Sequence, residues 1–112
     1  MELYLIRLGQ TQLYKIGISK NAKKRIKQLQ TGCPHILSIE NIYTSEKAFK
    51  IENVLHNTFS HKKAGPDFEY DFVLLSGEWF ALNIDDVIDF KITCEKIEHR
   101  LNHLKEAGNP FV

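Results

Sequence analysis

The chain has 112 residues, a formal net charge of +1 and two cysteines, long enough for one hydrophobic core without disulfide or metal staples and too short for two. Cys33 and Cys94 stand far apart with no CxxC pair, which excludes a zinc knuckle or disulfide framework and predicts free thiols in a reducing compartment. No apolar run approaches the roughly 18 residues of a membrane span, and the N-terminus reads as a strand, so a soluble, cytoplasmic protein without membrane contact is expected.

The near-neutral total hides an asymmetry. Residues 1–32 hold seven basic side chains (Arg7, Lys15, Lys20, Lys23, Lys24, Arg25 and Lys27) against Glu2 alone, a charge of +6 that leaves the remainder at −5. That is the footprint of a polyanion-facing surface on an otherwise acidic body.

Residues 2–8 and 13–18 are apolar and aromatic runs joined by Gly9-Gln10-Thr11-Gln12, which predicts an antiparallel hairpin. Period-2 alternation puts Tyr4, Ile6 and Leu8 on one face of the first strand. In the second it separates Leu13, Lys15 and Gly17 from Tyr14, Ile16 and Ile18, so Tyr4 and Lys15 can share a face while Tyr14 packs on the other. Ser19 or Asn21 caps a helix over about 22–30, with Ile26 and Leu29 facing the core and Arg25 directed back toward the hairpin. Thr31-Gly32-Cys33-Pro34 ends it, and 36–44 form a third strand.

A second helix runs from Ser45-Glu46-Lys47-Ala48 to about Ser60, its Ala48, Ile51, Leu55 and Phe59 at the spacing of a buried stripe. Residues 61–72 lack periodicity and contain Gly-Pro, which predicts a surface loop or a short extended excursion. The apolar segment 73–82 closes the core as an edge strand or turn. From Asn83, with Asp85 and Asp86 in the first turn, one long helix is predicted to about Ala107. Its Val87, Phe90, Cys94, Ile97, Leu101 and Leu104 step alternately by 3 and 4, an a/d seam that either packs on its own domain or pairs with a second copy.

Hydrolysing a phosphodiester requires a base for the attacking oxygen, a cation for the growing phosphoryl charge and, in most sites, a metal ion. Tyr4 serves as base if a nearby ammonium such as Lys15 favours the phenolate. Arg25 offers the planar fork that matches two phosphate oxygens. Glu52 is a single carboxylate of the kind that holds Mg²⁺ with several waters. His56, one turn after it, is placed to add a ligand, orient a water or contact a phosphate. Each residue has an ordinary structural alternative: a half-buried aromatic, a surface carboxylate, a core-edge histidine, a solvated helix face. Their joint presence favours the chemical reading.

Together these residues resemble a known family. Glu2-Leu3-Tyr4, Tyr14-Lys15-Ile16-Gly17, Arg25, Ile51-Glu52-x-x-Leu55-His56-x-x-Phe59 and Gly77-Glu78-Trp79-Phe80, in that order, are similar to the GIY-YIG nuclease superfamily. The nearest likeness is to its phage and large-DNA-virus branch, whose second motif reads YKIG. The resemblance covers 2–82, a nuclease-like domain over 1–82, and leaves 83–112 as a C-terminal helix that docks or dimerises.

It implies an α+β fold with a three-stranded antiparallel sheet flanked by helices, and a DNA endonuclease using Mg²⁺ or Mn²⁺ with low sequence preference. Tyr4 would activate water, Arg25 would stabilise the transition state, Glu52 would bind the metal, and Gly17 would keep the sheet surface open to substrate. Lys20, Lys23, Lys24 and Lys27 would hold the DNA backbone. A homodimer through 84–106 would place two sites on one duplex. Three departures stand out: Glu2 replaces the motif's glycine and sets a carboxylate near Tyr4, Lys15 replaces the second tyrosine as is normal in that branch, and the asparagine that often follows the metal glutamate has no counterpart. Glu78, Trp79 and Phe80 read mainly as structure. The alternative is a module of the same fold that binds DNA or protein without turnover.

Overall fold

The computed structural model describes residues 1–64, 69–70, 73–74 and 79–108. Strand β1 (Glu2–Leu8) lies inside an antiparallel sheet of order β3-β1-β2-β6, flanked by β2 (Leu13–Ser19) and β3 (Leu37–Thr44), with β6 (Phe80–Ala81) outside β2. Its interior position follows from its sequence, because Leu3, Tyr4, Leu5, Ile6 and Leu8 offer apolar surface to both faces and all five are buried. The hairpin turn is held by Gly9, at a φ of 52° that favours glycine. Thr11 secures it from the other side, its hydroxyl donating to the Leu8 carbonyl at 2.6 Å and accepting from the Leu13 amide at 3.1 Å.

Two cores result, one on each face. Leu3 and Leu5 with Tyr14 and Ile16 pack against α2 (Ala48–Thr58) through Ala48, Ile51 and Leu55 and against α4 (Phe90–Glu106) through Phe90, Cys94 and Leu101. Tyr4, Ile6 and Leu8 pack against α1 (Ala22–Gln30) through Ala22, Ile26 and Leu29, with Trp79 alongside. Leu37, Ile39 and Ile42 of β3 join this second core, although strict alternation would divide 37 and 39 from 42. A bulge resolves the conflict: the register shifts between Leu5 and Ile6, pairing Leu5 with Asn41 and Ile6 with Ile39, so Glu40 is passed over.

Four findings correct or sharpen the sequence reading. The sheet has four strands where three were expected, because β6 pairs Phe80 with Tyr14 and Ala81 with Leu13. The segment read as a surface loop or a short extended excursion begins in a 3₁₀ turn at Ser60–Lys62, and beyond it β4 (Glu69–Tyr70) pairs with β5 (Val73–Leu74) as a second, two-stranded sheet, which is the extended form. Gly77 and Glu78 of the last motif lie outside the described residues.

The predicted long helix is broken at Asp89, whose ψ of 3° is not helical, into α3 (Ile84–Ile88) and α4. Asn83 begins α3 with a capping box: its side chain accepts from the Asp86 amide and Asp86 accepts from the Asn83 amide. Lys62 pairs with Asp86 at 2.5 Å and ties the 3₁₀ turn to this cap. Finally, the a/d seam is consumed within the chain, since Phe90, Cys94 and Leu101 are buried and Val87 and Ile97 pack against the same core. Of the two readings left open for this seam, packing on its own domain is the one these contacts show.

A polar clamp fixes α4 to β3. The Tyr43 hydroxyl donates to Glu98 Oε2 at 2.5 Å, and the Ser45 hydroxyl donates to the other carboxylate oxygen. Those two bonds, Ser45 first, hold the Glu98 carboxyl below its ordinary range, with Lys47 adding attraction. Burial, reinforced by Glu98, pushes the Tyr43 phenol well above its usual value. Burial next to Glu95 and Glu98 pushes the Cys94 thiol up to about 12.

Candidate active site

Tyr4 sits directly opposite Gly17 across the β1–β2 ladder, and Lys15 sits opposite Ile6. Paired residues share a face, so Tyr4, Gly17 and Lys15 lie together on the side covered by α1, with Lys15 the diagonal neighbour of Tyr4 at about 7–8 Å between backbones. The contact between Tyr4 and Gly17 is immediate. A Cβ built on Gly17 would lie 2.3 Å from the Tyr4 hydroxyl oxygen and 2.5 Å from Cζ. The glycine was expected to keep the sheet open to substrate, but that space belongs to the tyrosine ring. Tyr4 is 3% exposed, and Gly17 is the residue that lets it lie flat on the strand.

The departure at Glu2 has a structural explanation. α1 has no acidic residue in its first turn, and Glu2 supplies one from β1: its Oε1 accepts the Ala22 amide at 2.7 Å. A carboxylate at a helix N-terminus satisfies an orphan amide and opposes the helix dipole. The charge beside Tyr4 is thus engaged by α1, whose Asn21 cap in turn accepts from the Lys24 amide at 3.0 Å. The absence of an acid at 22–24 was the sequence signal for this contact.

Arg25, Lys23, Lys24 and Lys27 are exposed on α1, and Lys20 is exposed just before it. The Arg25 guanidinium donates to Gln28 Oε1 at 3.3 Å, so it runs along its own helix instead of turning back to the hairpin as expected. Lys15 carries its ammonium 5.5 Å from the centre of the Trp79 ring, a cation–π approach. Sequence reasoning treated Trp79 as core filler. It is buried at 5% exposure, and it is also the platform on which Lys15 rests.

Glu52 and His56 arrive from the other face, one turn apart on α2, both half-buried. His56 Nε2 lies 2.9 Å from the Ile16 carbonyl oxygen. A carbonyl only accepts, so this nitrogen carries the hydrogen and donates it. The ring also meets Phe80 edge-on at 5.1 Å, so His56 locks α2 to β2 and β6. The two groups of residues are therefore brought to opposite sides of one strand: Tyr4, Lys15 and Gly17 with the basic face of α1 on one side, Glu52 and His56 on the other. They adjoin at Ile16, which lies between Lys15 and Gly17. Among the described residues β6 pairs only with Leu13 and Tyr14, leaving Lys15 to Ser19 as a border of the sheet.

The arrangement offers a phenol, several exposed cations, a half-buried carboxylate and a fixed imidazole around one strand edge. Among the described residues no group of three His, Cys, Asp or Glu converges on a common point, and no helix is long and apolar enough to cross a membrane. No curated protein and no solved structure matches the chain. The family model for the T5orf172 domain matches residues 3–95, from β1 into α4. That domain is associated with nuclease-like function, which is a nuclease-related or DNA-binding role. With the strand edge and most of both cores inside the match, the chain belongs to the T5orf172 domain family.

Proposed function

We propose that the protein is a DNA endonuclease of the GIY-YIG kind, which hydrolyses phosphodiesters with Mg²⁺ or Mn²⁺ and little intrinsic sequence preference. The observation that carries this reading is Tyr4 seated on Gly17 beside Lys15, at the sheet border next to the basic helix α1. A ring packed over a cross-strand glycine is a device of sheets in general; here the pair adjoins Lys15 and the basic helix α1. Tyr4 is given a flat bed that brings its hydroxyl to the strand from which Lys15 and, through Ile16, His56 are also held.

Exposed Lys20, Lys23, Lys24 and Lys27 engage backbone phosphates and convey no base preference. Arg25 exchanges its Gln28 contact for two oxygens of the scissile phosphate, a better match to its fork. The Tyr4 phenolic oxygen orients the attacking water and takes its proton. With Tyr4 acting as the phenolate, the water oxygen bonds to phosphorus as the bond to the 3′ oxygen breaks, and that oxygen takes a proton from solvent, leaving 5′-phosphate and 3′-hydroxyl ends. His56 is a positioning residue: by holding α2 to Ile16 it sets Glu52 relative to Tyr4.

Glu52 is the residue that would hold the metal. One hard carboxylate, without a thiolate or a three-ligand cluster among the described residues, suits a water-rich octahedral ion better than zinc. When bound, such an ion would offset charge on the leaving oxygen.

The test is nicking of supercoiled plasmid with Mg²⁺ or Mn²⁺. Wild type is expected to nick, Arg25→Ala/Glu52→Ala is not, and Tyr4→Phe loses about 10²-fold or more, the usual worth of a positioned base. Wild-type activity no greater than that of the double variant would end the nuclease reading; undiminished Tyr4→Phe would end the assignment of the base. The direction of Arg25 along α1 favours a second reading, a DNA-binding module without turnover. It predicts affinity that survives Glu52→Ala and no cleavage with any divalent ion.

A further inference from the structure

Away from the strand border, the N-terminus of α2 and the last turn of α4 enclose a cavity of about 320 Å³ lined by Glu46, Lys47, Phe49, Lys50 and Lys105. Three ammonium groups and one carboxylate face it. Counting Glu98, which attracts Lys47 from beneath while accepting from Tyr43 and Ser45, three cations face two carboxylates, and the cavity keeps a positive excess. Lys47 is the telling member. Its Nζ is buried and makes no hydrogen bond, although its charge acts on Glu98. A buried ammonium with three unused donors is costly, and native proteins avoid leaving one.

Lys47 is also the residue that begins α2, and this end of the helix has no side-chain cap hydrogen bond. The Lys47 and Ala48 amides at this end are taken by the Ser45 hydroxyl and carbonyl, so the lysine side chains are the donors the cavity offers. Glu46 is exposed on the cavity rim, free to turn to solvent. Phe49, 63% exposed, walls one side and lowers the local dielectric for whatever binds.

We infer that the cavity between Lys47, Lys50 and Lys105 is a phosphate-binding site, distinct from the strand border. A tetrahedral oxyanion is what this set can use: Lys47 donates from the floor and Lys50 and Lys105 from the walls. A carboxylate, with two oxygens in a plane, would leave part of that donor set unmet. The phosphate belongs either to a DNA backbone or to a small phosphorylated ligand.

The test titrates inorganic phosphate into the ¹⁵N-labelled full chain, with sodium chloride at matched ionic strength as control. Saturable amide shifts are expected at Phe49, Lys50 and Lys105, weakened roughly tenfold or more in Lys50→Gln/Lys105→Gln. Both substituted side chains lie at the surface, so the variant is expected to fold, and its spectrum reports directly whether it does. No saturable shift at these amides, or equal shifts in the variant, overturns the inference.

A second arm identifies the source. Duplex affinity is measured over a range of salt; a slope shallower by about 1 in the variant for each lost phosphate contact assigns the site to DNA. An unchanged slope, with phosphate shifts intact in wild type, assigns it to a small ligand. The phosphate arm does not depend on the endonuclease reading, whose failure would appear only as absent cleavage.

Discussion

Gly17→Ala isolates the contact on which the candidate site is built. The added methyl would meet the Tyr4 ring at 2.3, 2.5 and 2.9 Å from its hydroxyl oxygen, Cζ and Cε1. Every one of these is shorter than a carbon contact tolerates, and the ring has little freedom, being 3% exposed and packed with Ile6, Ala22 and Trp79. Overpacking of this kind costs about 1–3 kcal/mol. Gly17 is not among the glycines with positive φ, so the backbone itself accepts alanine and would be stabilised by about 0.4–1 kcal/mol were the ring absent. The steric term exceeds the entropic one, and the net effect is destabilising.

Urea denaturation is the assay, run on Gly17→Ala, Tyr4→Ala and the pair. Alanine at 17 lowers stability in wild type, by about 4–8 °C of Tm for each kcal/mol in a domain near this size. In the Tyr4→Ala background the same substitution becomes neutral or stabilising, a reversal of sign. An equal penalty in both backgrounds would refute the reasoning, because the cost would then come from something other than the ring. In cleavage assays Gly17→Ala is expected to lose about 10²-fold, the usual effect of moving a reacting group by about 1 Å.

Glu98→Gln weakens the clamp between α4 and β3 by about 1–3 kcal/mol, since hydrogen bonds to a charged acceptor are lost. The folded carboxyl is held low, so its contribution is complete above the unfolded range near pH 4–5 and drains away as pH falls through the lowered folded value. Wild-type and variant stabilities measured against pH should therefore converge in acid and separate at neutrality; a constant gap would sink the assignment. Cys94, fully buried with its thiol pushed up to about 12, should resist alkylation in the native protein at pH 8 while half-buried Cys33 reacts. Both react in denaturant, and native labelling of Cys94 by mass spectrometry would contradict the packing. Glu2→Gln should cost about 0.5–2 kcal/mol by weakening the start of α1, read as reduced amide protection at 22–24 in hydrogen exchange. Leu55→Ala, at a fully buried position of the α2 core, should cost about 2–5 kcal/mol by thermal or urea unfolding.

Much of this architecture was legible in local pattern. The stripe Ala48, Ile51, Leu55 and Phe59 was read from its spacing and is buried as read. The alternation of β1 and β2 correctly set Tyr14 apart from Lys15. Asn21 and Asn83 announced two helices through short polar side chains that cap. These features share a cause: periodicity and capping act over a few residues, so the chain carries their signal in adjacent letters.

What only the tertiary structure decided are matters of partnership. Spacing shows that the α4 seam is apolar without saying what covers it, and the fold gave it to β3, α2 and their core instead of a second copy. The bulge opposite Leu5 and Ile6 depends on two strands meeting, and nothing in 37–44 alone marks Glu40 as the residue passed over. Glu98 and Tyr43 are 55 positions apart, Glu2 and Ala22 are 20 apart, and His56 reaches Ile16 across 40. At the candidate site, the sequence alone determined which residue types were present: a phenol at 4, a glycine at 17, a basic helix and a carboxylate at 52. The fold decided that the glycine serves the phenol, that Glu2 serves α1, and that Glu52 and Tyr4 approach one strand from opposite faces, because a strand's two sides are distinguished only by what packs on each.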